Sequence, residues 1–142
     1  MNKAVLSISI LSFLILSSFE NIPEESKIKT EIIPQNQPPR IMEKAFLRYL
    51  GETILNIMND FGDDQLFTFT RIERITKDTS NDSYDISIRV IGFEGPLNPP
   101  YKLIRMTIRI PGENYTNYSV VTYSHRFVSG KEFEKFTKYT ED

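Results

Sequence analysis

The chain contains no cysteine. That absence removes disulfide scaffolds, thiol enzymes, Cys-based zinc sites and lipid attachment at an N-terminal Cys. There is one histidine, His125. A zinc site usually takes three protein ligands of His, Cys or carboxylate type, so this inventory leaves carboxylates, which suit calcium better. Neither acidic group, Asp63 with Asp64 or Asp78 with Asn81 and Asp82, has the twelve-residue calcium-loop spacing. No Gly-rich phosphate loop and no internal repeat is present. Seventeen basic residues face nineteen acidic ones, a net charge of −2, so no global field gathers nucleic acid. The expectation is therefore no metal, no cofactor and no nucleic-acid partner.

Hydrophobic residues make up 39% of the chain and aromatic ones 12%, which argues against disorder throughout. The opening "MNKAVLSISILSFLILSSFE" puts Lys3 before an apolar run from Ala4 to Leu16, the layout of a secretory signal. The run falls short of the roughly 20 apolar residues of a spanning helix. Near Ser17 and Ser18 the positions three residues upstream of a cut hold Leu or Ile rather than small residues. Residues 1–19 thus read as a cleaved signal or an uncleaved anchor, and membrane contact is expected only through them. The expected location is secreted or extracytoplasmic. Residues 20–40 carry Pro23, Pro34, Pro38 and Pro39 with no sustained period, an extended linker. Residues 41–129 are the globular domain, roughly 90 residues and enough for one modest core. Residues 130–142 form a tail.

Within the domain, Met42, Phe46, Leu50, Ile54, Ile57, Met58 and Phe61 recur at three- and four-residue steps, predicting a helix over 41–61 that stops at Gly62. Everything after Gly62 alternates. Leu66 to Ile75 is the first strand, with a slip of phase between Phe69 and Ile72 of the kind a β-bulge gives. Lys77 to Asp82 is a turn. Tyr84, Ile86, Ile88 and Val90 mark a second strand. Leu103, Met106, Ile108 and Ile110 mark a third, and Val121, Tyr123, His125 and Phe127 share one face of a fourth. In the tail, Ser129 and Glu132 have capping-box spacing ahead of Phe133, Phe136 and Tyr139, a short helix. One helix followed by four antiparallel strands predicts an α+β fold. The helix packs on a curved four-stranded meander, a roll of the cystatin-like or NTF2-like kind.

Chemistry is thin. A catalytic His125 would need a nucleophile and an orienting group, and no serine or threonine stands out by context. A hydrogen-bonded structural histidine or the wall of a pocket are the alternatives. No catalytic residue is therefore assigned. Arg89, Arg105 and Arg109 fall between the inward positions of their strands and are expected on the outer sheet face. There they form either an ordinary solvated face or a mildly basic plate for an anionic envelope polymer. Three Asn-X-Ser/Thr sequences, at Asn81, Asn114 and Asn117, are expected by chance in a chain of this composition.

The stretch "GFEGPLNPPYKLIRMTIRI" resembles the signature of the family called domain of unknown function 3888, small exported proteins of spore-forming Gram-positive bacteria. Phe93, Glu94, Gly95, Pro96, Asn98, Pro99, Pro100 and Tyr101 match its core motif, and "LRYLGETILNIMNDFG" is similar to its helix. Leu97 stands where members often have His, and Lys102 where they often have Gly. The resemblance implies a small exported α+β protein and no activity. From the residues, the 93–101 stretch connects strands two and three: Gly95 and Asn98, each before a proline, are pushed toward extended backbone. Pro99 and Pro100 favour a polyproline-like path. The stretch reads as a rigid clasp anchored by Phe93 and Tyr101, or as a ligand-contact loop. The leading functional expectation is a non-catalytic binding or accessory module of the envelope or extracellular space. Its competitors are a small NTF2-like enzyme with a pocket near His125 and an accessory protein acting through its tail.

Overall fold

The computed structural model describes residues 27–140. Residues 1–19, read as a signal or anchor, and the first part of the segment read as a linker lie outside the described residues. Helix α1 runs from Ile41 to Asp60. Leu47, Leu50, Ile54, Ile57 and Met58 are buried along one stripe. The two ends of the expected stripe differ: Met42 is 79% exposed and Phe61 50%. The stop at Gly62 is a Schellman turn, with Gly62 at φ +80°. The Gly62 N–H donates to the Asn59 carbonyl and the Asp63 N–H to that of Met58. A left-handed residue costs glycine nothing, and the turn delivers Asp63 inward.

The strands are β1 (Ile28–Ile32), β2 (Leu66–Asp78), β3 (Ser83–Glu94), β4 (Asn98–Ile110) and β5 (Ser119–Phe127). They form one antiparallel sheet in the order β1-β2-β3-β4-β5. The expected four strands are five. The extra one, β1, lies inside the segment read as a linker and pairs with Arg74 to Asp78 of β2. All five of its residues are exposed, so it carries no buried alternation for sequence reading to detect; backbone pairing holds it. The chain then crosses the edge of β2 before α1, with the Ile33 N–H bound to the Glu73 carbonyl.

The core lies between α1 and one face of the sheet, where Ile86, Ile88, Val90, Ile104, Met106 and Ile108 meet the helix stripe. Each such side chain is worth roughly 2 kcal/mol of burial. Ile104, and not Leu103, belongs to this face. Leu103 pairs with Ile91 across β3 and β4, and both are buried apart from the main cluster. In β5 a register shift opposite Thr107 and Ile108 leaves Val121 exposed, so Val120 takes the inward place. Two bulges interrupt β2, between Thr68 and Arg71 and between Ile72 and Arg74, where the alternation slips.

Helix α2 (Gly130–Thr137) begins at the expected capping box, with Ser129 and Glu132 bonded reciprocally. Its aromatic rings fold back on the sheet. Phe133 stacks on Tyr101 at 4.0 Å and meets Phe69 edge-on at 5.6 Å, while Phe136 covers the guanidinium groups of Arg89 and Arg105. Of the readings open to the tail helix, docking on the body or contact with a partner, Phe133 and Phe136 take the first and pack within the chain.

Candidate functional site

Four polar side chains converge where α1 ends against β4 and β5. Alternation puts Lys102, Tyr123 and His125 on the helix side of the sheet, and the Schellman turn places Asp63 among them. Lys102 Nζ donates to Asp63 Oδ1 at 2.6 Å, Tyr123 Oη to Oδ2 at 2.6 Å, and His125 Nδ1 approaches Oδ2 at 2.5 Å. Asp63 is fully buried. Burial pushes its pKa up, but the hydrogen bonds from Lys102, Tyr123 and His125 and the charge of Lys102 outweigh that, and the net result is about 2. Burial, then the bond to anionic Asp63, pushes the Tyr123 phenol up. Because the carboxylate is ionised it only accepts, so Nδ1 of His125 carries the hydrogen. The His125 side chain remains 47% exposed. Phe61 stacks on Tyr123 at 4.2 Å.

An Asp–His pair of this kind fixes the imidazole tautomer and its orientation. Among the described residues no hydroxyl nucleophile bonds to His125, and the cavity described below is not lined by it. Among the described residues there is also no cluster of three or more potential metal ligands. The acidic turn around Asp78 is held by local bonds: Asp78 accepts from the Ser80 N–H and from Asn81 Nδ2.

The three arginines share the outer face, as alternation requires, but they do not form an open basic plate. Arg89 is 3% exposed. Its Nε donates to Gln35 Oε1 at 3.2 Å and lies 3.8 Å from Glu73. Burial above all, with the like charges of Arg71 and Arg105 against the pull of Glu73, lowers its pKa to about 10. Arg105 grips Glu73 through Nε and Nη2, and Arg109 grips Asp85 in the same two-pronged way. The extra residue of the second β2 bulge, Glu73, supplies one neutralising charge; Asp85, the cross-strand partner of Arg109, supplies the other.

The 93–101 stretch is mostly strand. Phe93 and Glu94 end β3, Asn98 to Tyr101 begin β4, and only Gly95, Pro96 and Leu97 form the turn. Gly95 and Leu97 have φ of +56° and +57°, against the extended backbone expected at Gly95. Pro99 and Pro100, joined by a cis bond, lie in strand β4, where a polyproline-like path was expected. Residues 94–100 are exposed. Tyr101 does anchor the stretch, through Oη to the Leu97 carbonyl and its stack on Phe133, so its ring partner comes from the tail and not from Phe93.

A cavity of about 820 Å³ opens between the 31–40 segment, the start of α1 and β2. Ile33, Pro34, Pro39, Met42, Phe46 and Ile75 give it apolar walls. Its polar floor is a closed unit. Arg71, 1% exposed, donates to Glu43 Oε1 at 2.9 Å and to the carbonyls of Gln37 and Pro34. Gln35 Nε2 ties the same segment to the Ile33 and Ile72 carbonyls. Sequence reading named Asp63 only as one of two acidic groups and put Tyr123 on the same strand face as His125, without joining the three. It gave Lys102, Glu43, Arg71 and Gln35 no place in a site. Asp63 left a further trace, as the second residue past the helix C-cap.

No protein-family model matches this chain, and searches of curated proteins and of solved structures find no match.

Proposed function

We propose that this chain is an exported, non-catalytic binding module of the cell envelope or extracellular space. The observation that carries the reading is the apolar cavity of about 820 Å³ beside α1, within the range of small-ligand sites. Its polar floor is fully paired, so it offers a shaped apolar surface and no reactive group. The signal-like opening and the resemblance of residues 93–101 to domain of unknown function 3888 support export. One exposed strand, a helix and a four-stranded meander in that order support a cystatin-like roll. Among the described residues no helix is long and apolar enough to cross a membrane.

The test is to tag the chain in a Gram-positive host, size it in culture fluid and membrane fractions, and identify small molecules that co-purify by native mass spectrometry. A ligand carried from the extracytoplasmic fraction supports the module; a cytoplasmic, ligand-free chain ends it. The Asp63–His125 pair favours a second reading, an acid–base enzyme with a pocket near His125. That reading needs a substrate site at Nε2, and a His125→Ala variant that keeps its ligand would argue against it.

A further inference from the structure

We propose that the groove beside α1 binds a single acyl chain with an anionic head group, the apolar tail lying along its walls and the head at Arg40. The inference rests on the binding-module reading and names its ligand class.

The walls decide between an acyl chain and a peptide. Pro34, Pro38 and Pro39 have no N–H to offer. The carbonyls of Pro34 and Gln37 are already taken by Arg71, and the Gln35 side chain by Ile33, Ile72 and Arg89. An extended peptide would leave its own amides unpaired against such a wall, and burying an unpaired amide is costly. A hydrocarbon chain brings no such groups. Ile41 and Met42, which help line the groove, are 84% and 79% exposed, an apolar rim that burial under a tail would cover.

The charges select the head group. Glu43 and Arg71 neutralise each other on the floor. Two ionisable groups remain on the lining, Glu31 from β1 and Arg40 at the start of α1. Arg40 is exposed, and among the described residues its guanidinium makes no hydrogen bond or ion pair. It is therefore free to take a carboxylate or phosphate in the two-pronged manner of arginine. Glu31 would repel the same head group and is best left solvated.

The experiment is a fluorescence titration of the full-length chain with cis-parinaric acid, followed by displacement with dodecanoate, dodecyltrimethylammonium and an Ile/Leu-rich octapeptide. Saturable binding displaced by dodecanoate and not by the cationic amphiphile is expected. Arg40→Ala should weaken it roughly tenfold, and Glu31→Gln should leave it equal or tighter. Met42→Glu, at an exposed position that leaves the fold intact, should abolish it. Equal affinity in wild type, Arg40→Ala and Met42→Glu would assign uptake to another part of the chain and overturn the proposal. Displacement by the peptide alone would also overturn it while leaving the binding-module reading standing. Binding of neither probe nor peptide would remove both.

Discussion

Arg71 of β2 and Glu43 of α1 form an ion pair at 2.9 Å with side chains 1% and 8% exposed. The same Glu43 oxygen accepts from the Ile72 N–H, at the β2 bulge. One carboxylate thus fixes the start of the helix to the irregular stretch of the strand and to the segment that crosses over it. Removing one partner of a buried pair leaves the other charge uncompensated, so Glu43→Ala is expected to cost about 3–5 kcal/mol. Glu43→Gln keeps a neutral acceptor and should cost less. Urea unfolding of the two variants beside wild type measures the difference. A Glu43→Ala loss near zero would mean that the pair does not hold the helix to the sheet.

Asp63 gives stability a dependence on pH. Its pKa falls from the ordinary 3.8 to about 2 on folding. A depressed carboxylate contributes fully above its unfolded value, and the contribution drains away as pH falls through the folded one. The size is about 2 kcal/mol, present above about pH 4 and lost towards pH 2. In Asp63→Asn that slope should flatten, while stability at pH 7 drops. Chemical denaturation at pH 7, 4 and 2.5 compares the two proteins; parallel curves would show that another group carries the acid sensitivity.

How much of this was legible in the sequence follows from what each feature depends on. Helix α1 and strands β3 and β4 were readable because burial on one face imposes a period. Strand β1 was not, because all its side chains are exposed and its hydrogen bonds leave no mark on residue type. The outer-face placement of Arg89 followed from alternation. Its burial did not, since that depends on Gln35, on Glu73 in a bulge and on Phe136 in a returning tail. The Asp63 cluster likewise joins residues about 40 to 60 positions apart, as its hydrogen bonds to Lys102, Tyr123 and His125 show. One side of the groove comes from residues 31–40, which looked like a spacer, and the other from α1 and β2, so only their meeting escaped the sequence.

Two glycines should answer oppositely to alanine. A Cβ on Gly112 would collide with Thr116 Oγ1 and with the main-chain carbonyl of Tyr118. The backbone there cannot yield cheaply, because the Gly112 N–H is bonded to the Thr116 carbonyl. Gly112→Ala should cost about 2 kcal/mol or more. Gly51, in the middle of α1, has nothing within 4 Å of its Cβ position. Gly51→Ala should therefore add about 0.5–1 kcal/mol by helix propensity alone. Thermal melts of both variants decide it: a stabilised Gly112→Ala would show that the 111–118 turn has room to shift.

The tail helix supplies the last expectation. Glu132 bonds Arg126 at 2.7 Å and returns to the Ser129 N–H, and its pKa sits at about 2, held down first by Arg126 and then by Ser129. Ser129 in turn accepts from the Glu132 N–H. Ser129→Ala removes that acceptor and should loosen the helix by about 1 kcal/mol. Phe133→Ala removes the ring that Tyr101 and Phe69 pack against and should undock α2 from the sheet. Hydrogen exchange separates the two effects. Ser129→Ala should speed exchange at residues 130–137 alone, because fraying begins at the cap. Phe133→Ala should speed it there and also near Tyr101, because the shared stack is gone. Protection within α1 should change in neither, since its buried stripe faces the other side of the sheet. Faster exchange in α1 after Phe133→Ala would mean that the tail stabilises the whole core and not the outer face alone.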